Sequence, residues 1–169
     1  MASLSFNKIY SCFLGKINDF DIPNMDEEIL NEVLLGYLKS TIAQPTINGI
    51  FISLTYEVIE EFDNVDMKDK ISWDESMVNY QLKVSAADDE LFVTELLARG
   101  MVVQWLEPQV KNIVNISQFF GGKEQKYYSQ AQHLSELKDM LETEKNELGK
   151  YIRDRGSVYN PYLKGKYYG

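Results

Sequence analysis

The chain has 169 residues, of which 44% are hydrophobic and 25% are charged, and its formal net charge is −9. These values are ordinary for a globular protein, and the length suits one domain with its own hydrophobic core. Cys12 is the single cysteine, which excludes a disulfide within the chain, and no apolar run approaches the roughly 20 residues of a membrane-spanning helix. The opening residues 1–10 lack the layout of a secretory signal, so we expect a soluble protein made in the cytoplasm.

The charge is distributed unevenly along the chain. In residues 153–169 the cations Arg153, Arg155, Lys164 and Lys166 accompany Asp154 alone, a local net charge of +3, so the rest of the chain carries −12. An acidic body repels phosphates, which argues against general DNA binding. The basic end is expected to have a partner of its own.

Apolar residues at helical spacing predict two helices in the first 45 residues. The first begins at Phe6 after Ser5, a candidate cap, and ends near Gly15. The second follows an apparent capping box of Asn24 and Glu27, and Pro45 stops it.

Residues 46–85 have the composition of a small β element. Residues 50–59 are rich in β-branched and aromatic types, and residues 77–85 alternate apolar with polar types. An acidic stretch separates the two runs. We therefore expect two strands joined by a long acidic loop, inserted as a hairpin or small sheet into a helical body.

Two further helices are predicted after the insert. The first opens near Ser85 and contains Gly100, which weakens it by about 1 kcal/mol relative to Ala unless a close neighbour needs the space. Pro108 either kinks this helix or starts a new turn, and the Gly121–Gly122 pair marks the next turn. The last helix is predicted over about 123–153 and spans on the order of 45 Å, more than a core of this size needs to cover. We expect part of it to project or to pack against another chain.

The C-terminal residues carry the pattern of a docking segment. Gly156 is predicted to end the last helix, and Pro161 favours extended backbone at Asn160. Tyrosines supply large, rigid contact area with a polar tip, which favours a docking arm over a disordered end. The predicted organisation is a helical domain over 1–155, with the β insert at 46–85, and an extended docking tail over 156–169. The candidate partner-binding residues are Arg153, Arg155, Tyr159, Pro161, Tyr162, Leu163, Lys164, Lys166, Tyr167 and Tyr168.

Side chains suited to catalysis or metal binding are few. His133 is the single histidine and lies mid-helix, where a surface or packing role is the usual one. Cys12 lies within an amphipathic helix, where a cysteine is usually a small buried hydrophobe. The acidic stretch 63–69 lacks the ligand spacing and the glycine of a calcium loop. We predict no catalytic residue, no cofactor and no metal site, and we do not expect an enzyme.

Three segments carry a resemblance to a known family. They are MVVQWLEPQVKNIVNISQFFGGKEQKYYSQAQHLSELKDML over 101–141, the opening MASLSFNKIYSCFLGKI and the ending IRDRGSVYNPYLKG. Together they resemble the head–tail connector (neck adaptor) proteins of tailed bacteriophages, and the likeness is weakest over 46–85.

The resemblance implies a structural protein of the virion neck, made in the host cytoplasm and without a membrane. It implies a mainly α-helical bundle that forms a ring of about twelve copies between the portal protein and downstream neck or tail proteins. The C-terminal arm would bind the portal, and the ring would line the channel through which DNA leaves without specific binding. An acidic body suits such a channel.

Two other interpretations fit the same residues. One is a different neck component, a stopper or a tail-completion protein, which would contact the adaptor rather than the portal. The other is a soluble helical binding module of the host cell. Neighbouring capsid and tail genes would favour a virion protein, whereas metabolic genes would favour the binding module.

Overall fold

The computed structural model describes residues 2–17, 22–51, 53–58, 70–73, 87–119 and 124–159. The described residues are mainly helical, as predicted, with a small antiparallel sheet and a long helix near the C-terminus. In chain order the elements are β1 (Ala2–Ser5), α1 (Phe6–Leu14), a 3-10 turn (Ile22–Asn24), α2 (Glu27–Ile42), α3 (Pro45–Asn48), β2 (Leu54–Glu57), β3 (Lys70–Trp73), α4 (Ala87–Phe119) and α5 (Glu124–Tyr159).

Helix α4 is the centre of the fold. It packs against α1, α2 and α5, and its segment 92–106 is buried on more than one side because apolar residues there lie on several faces of the helix. Pro108 lies inside this helix and does not start a separate one. The core residues that α4 contributes are Phe92, Val93, Leu96, Leu97, Ala98, Met101, Val102, Val103 and Leu106.

Helix α1 begins after Ser5 and ends before Gly15, as predicted, although the Ser5 side chain makes no capping hydrogen bond. The predicted capping box of α2 is wrong. Asn24 belongs to the 3-10 turn, and Asp26 occupies the N-cap position without a side-chain bond. Glu27 and Glu28 in the first turn favour the helix through its dipole instead.

The sheet has three strands, with β3 in the middle and antiparallel to both neighbours. Two antiparallel strands separated by a long connection were predicted, but the partner of β2 is Lys70–Trp73, which lies in the stretch that was read as an acidic loop. The strand expected over 77–85 lies outside the described residues. Ile71 and Trp73 are buried together with Leu4 of β1, so one face of the sheet packs on the helical core.

Helices α4 and α5 form an antiparallel pair, in which Asp89 meets Arg155 and Arg99 meets Glu147. The predicted end of α5 at Gly156 is wrong, because the helix continues to Tyr159 and residues 156–159 are not extended. Its length is about 54 Å. The remainder of the predicted tail, residues 160–169, lies outside the described residues.

Within the described ranges, none of the helices combines the length and the apolar character that crossing a membrane requires.

Candidate functional site

A continuous stack of four side chains joins the start of α4 to the end of α5. The rings of Phe92 and Tyr151 are 5.2 Å apart between centroids and 20° from parallel. The guanidinium of Arg155 lies 4.9 Å from the centre of the Phe92 ring, and that of Arg99 lies 5.6 Å from the centre of the Tyr151 ring. Each helix contributes one cation and one ring, so the α4–α5 stack resists sliding of one helix along the other.

A buried ion pair closes the outer end of this stack. Arg155 Nη2 donates a hydrogen bond to Asp89 Oδ1, and the two side chains are only 13% and 4% exposed. A buried charge is tolerated when its partner is present, and it is costly when the partner is lost. The pair therefore holds the last turns of α5 against the first turn of α4.

Glu95 connects α1 to the same junction. Its Oε1 accepts hydrogen bonds from Lys16 Nζ at 2.7 Å and from Arg99 Nε at 2.6 Å. Its Oε2 lies 3.5 Å from Cys12 Sγ, the donor of a weak thiol hydrogen bond. Arg99 also donates to Glu147 Oε2 at 3.0 Å, so one charge-balanced network ties α1, α4 and α5 together.

The protonation states within this network follow from burial and neighbouring charge. Burial raises the pKa of the Glu95 carboxyl, but hydrogen bonds from Lys16 and Arg99 outweigh it, so the pKa lies below its ordinary value. Burial, with help from the Glu95 charge, raises the pKa of the Cys12 thiol. A cysteine nucleophile must be a thiolate, so this environment opposes covalent catalysis at Cys12.

The predicted docking residues fall into three groups. Arg155 was predicted to bind a partner, but its side chain is largely buried and paired with Asp89, so it belongs to the helical body. Arg153 is exposed, but it lies on α5 and not on an extended arm, and Tyr159 is the last residue of that helix. The other predicted docking residues lie outside the described part: Pro161, Tyr162, Leu163, Lys164, Lys166, Tyr167 and Tyr168.

The α4–α5 stack was not predicted from the sequence, although the spacing of its two residues on α5 indicated that they share a helix face. Tyr151 and Arg155 are four residues apart, which places them on the same face of a helix. Leu148 and Ile152 flank this face and pack in the core. The continued stripe indicated that Arg155 still faces the body, but the sequence did not indicate that Asp89 would lie opposite.

A groove lies between α5 and the residues that follow α2. We call it the Arg153 groove; its volume is about 570 Å³. Its floor is apolar, Lys145 and Arg153 stand on its rim, and Lys145 is also 2.8 Å from Glu107. The residues that line it are Gln44, Thr46, Val103, Lys145, Leu148, Gly149, Ile152 and Arg153.

His133 is exposed on α5, at the helix surface as predicted. Among the described residues, no three side chains of the metal-binding types lie close enough together to hold an ion.

Comparison with protein-family models, with curated proteins and with solved structures finds no match for this chain. A functional proposal therefore depends on the sequence resemblance and on the geometry described above.

Proposed function

We propose that this chain is a structural protein of a tailed-phage neck, an adaptor that forms a ring between the portal protein and the tail. The observation that carries the proposal is the way α5 ends. The stack and the Asp89–Arg155 pair hold this helix to the body as far as Arg155, and the basic, tyrosine-rich residues 160–169 begin only five residues later. A firmly held helix is a suitable base for a short binding arm.

The composition of residues 160–169 supports a protein partner. Tyr162, Tyr167 and Tyr168 can fill pockets between neighbouring subunits, which is the common role of tyrosine in interfaces. Lys164 and Lys166 favour an acidic surface beside those pockets. Since Arg155 belongs to the body, the proposed arm is shorter than the sequence suggested and begins after Tyr159.

The charge of the body supports a place around a DNA channel. With a net charge of −9 for the whole chain and a basic end, the body is more acidic than the total. Like charge prevents adhesion of the DNA backbone, so DNA would pass through the ring without being bound.

The proposal is tested by removing residues 160–169 and measuring co-sedimentation with rings of the portal protein encoded by the same genome. The full chain is expected to bind, and the chain ending at Tyr159 is expected to lose binding while it keeps its thermal unfolding midpoint. Cutting after Tyr159 matters, because an earlier cut would also remove the partner of Asp89.

A triple variant and a control variant test whether the tyrosines of residues 160–169, and not an exposed tyrosine elsewhere, bind the portal. Replacing Tyr162, Tyr167 and Tyr168 by Ser is expected to weaken portal binding at least tenfold, on the order of one good interface contact. The matched control is Tyr56→Ser, since Tyr56 is 42% exposed on the sheet. Equal binding by all variants would contradict the docking arm. A full chain that binds an adaptor ring but not the portal would instead support the stopper interpretation.

A further inference from the structure

An exposed acidic surface surrounds Ile29 at the start of α2. Ile29 is 51% exposed and is the apolar residue at the centre of this surface. Within the part of the chain that the structure describes, no ion pair engages the surrounding acids. We call this surface the acidic knob; it comprises Asp26, Glu27, Glu28, Ile29 and Glu32, all exposed.

The Arg153 groove has the complementary chemistry. Val103 and Leu148 give it an apolar floor. The Arg153 side chain lies along α5, because a Cβ placed on Gly149 would be 3.3 Å from Arg153 Nη1. Among the described residues no carboxylate pairs with Arg153. A cation on the rim of an apolar floor suits an apolar side chain flanked by carboxylates.

We propose that the acidic knob of one copy docks into the Arg153 groove of the next copy. Ile29 covers the apolar floor, and Asp26 and Glu32, each three residues away on the same face of α2, are the carboxylates available to Arg153. The chain's own C-terminal residues are a poorer occupant, because Lys164 and Lys166 would meet a groove that is already basic.

The positions of the two surfaces decide the kind of assembly. The knob lies in the first two turns of α2 and Gln44 of the groove follows its last turn, so Ile29 and Gln44 are about 22 Å apart along the helix. Two different patches of the same chain therefore meet, and such a heterologous contact leaves a free knob and a free groove at the ends of every chain of copies. It closes into a ring when the rotation between copies allows it. The contact between copies does not require the proposed function. Only the closure of these contacts into a ring rests on it.

The experiment is sedimentation velocity of the full chain, without portal, up to ~1 mM, a range that captures weak contacts. The knob variant combines Glu32→Gln with Ile29→Ser, and the groove variant is Arg153→Glu. Each is expected to weaken self-association at least tenfold, on the order of one lost interface contact. The controls change similarly exposed positions on α5 outside the groove, Met140→Ser and Lys150→Glu, and are expected to associate like the unaltered chain.

Mixing the variants tests the heterologous geometry. The knob variant keeps an intact groove and the groove variant keeps an intact knob, so an equimolar mixture is expected to form dimers that grow no further. Removal of residues 160–169 is expected to leave self-association unchanged. Because no portal is present in this experiment, failure of the full chain to bind portal rings would overturn the proposed function without affecting self-association, and the contact between copies would still stand.

Four outcomes would overturn the knob-in-groove contact. They are a full chain that stays monomeric at ~1 mM, controls that weaken association as much as the variants do, a mixture that stays monomeric, and a truncated chain that no longer associates. The last outcome would assign the groove to the C-terminal segment. Circular dichroism on each variant confirms that the exposed substitutions leave the fold intact.

Discussion

At the scale of single residues, Gly100 determines how closely α2 can approach α4. A Cβ placed on Gly100 would lie 2.3 Å from Thr41 Cγ2 and 2.9 Å from Ile47 Cδ1, so neighbouring side chains occupy the space that any larger residue would need. The sequence predicted that this glycine weakens its helix unless a neighbour requires the space, and the structure supplies those neighbours.

We therefore expect Gly100→Ala to lower the free energy of unfolding by about 1–3 kcal/mol through overpacking, despite the better helix propensity of alanine. Gly36→Ala is the control, because Gly36 is exposed on α2 with nothing within 4 Å of the added Cβ. That change should stabilise by about 0.5–1 kcal/mol. Urea denaturation of both variants measures the contrast, and a neutral Gly100→Ala would refute the close crossing.

The Asp89–Arg155 pair gives a second prediction. Asp89→Ala removes the carboxylate that accepts a hydrogen bond from the buried Arg155 guanidinium, which should cost about 3–5 kcal/mol of stability. Asp154→Ala removes an exposed carboxylate beside it and should change stability by less than about 0.5 kcal/mol. Hydrogen exchange should accelerate at the end of α5 in the Asp89 variant alone. Similar effects of the two substitutions would show that the pair does not hold the helix end.

Glu95 gives a prediction about pH. Its pKa is lowered by folding, so its stabilising contribution is complete above the unfolded value of about 4.3 and disappears as the pH falls through the lower folded value. Glu95→Gln should therefore cost about 1–2 kcal/mol at pH 7, and the difference from the unaltered chain should shrink in acid.

Denaturation curves from pH 7 to about pH 2 measure the Glu95 effect. Glu147→Gln is the matched control, since this carboxylate also bonds Arg99 but its side chain is 57% exposed and should contribute less. A difference between Glu95→Gln and the unaltered chain that is constant with pH would contradict the assignment.

At the scale of elements, the helical spacing of apolar residues was sufficient to predict helices α1 and α2. The stripes of α1 and α2 indicated their bounds within a few residues, because each helix buries one apolar face against α4. The capping residue of α2 was misplaced, since Asp26 and Asn24 are both good caps and local sequence did not distinguish them.

The strands were harder to predict because their pairing is non-local. β1 has only four residues and is stabilised by β3, more than sixty residues later in the chain. β3 was not predicted because it lies in a stretch that was read as an acidic loop. The alternation of Ile71 and Trp73 around Ser72 nevertheless indicates a strand with one buried face.

The end of α5 shows that a glycine does not by itself end a helix. Glycine within a helix costs about 1 kcal/mol relative to alanine, which does not end a helix that is held on both sides of the position. Tyr151, Ile152 and Arg155 pack or pair just before Gly156.

At the scale of the whole molecule, the sequence predicted a helical body with a basic C-terminal segment but placed the boundary too early. The described structure extends α5 to Tyr159, pairs Arg155 with Asp89 inside the body, and gives the body two complementary surfaces, the acidic knob and the Arg153 groove. The groove could not be predicted, since it combines residues from α4, α5 and the segment after α2. In the proposed assembly, the groove joins copies to one another and residues 160–169 join the ring to the portal.

The most direct test of this account is electron microscopy of portal rings mixed with the full chain or with the chain ending at Tyr159. The account predicts a ring of added density on one face of the portal with the full chain, and bare portals with the truncated chain. Added density with both chains would contradict the docking arm, and bare portals with both would contradict the adaptor function itself.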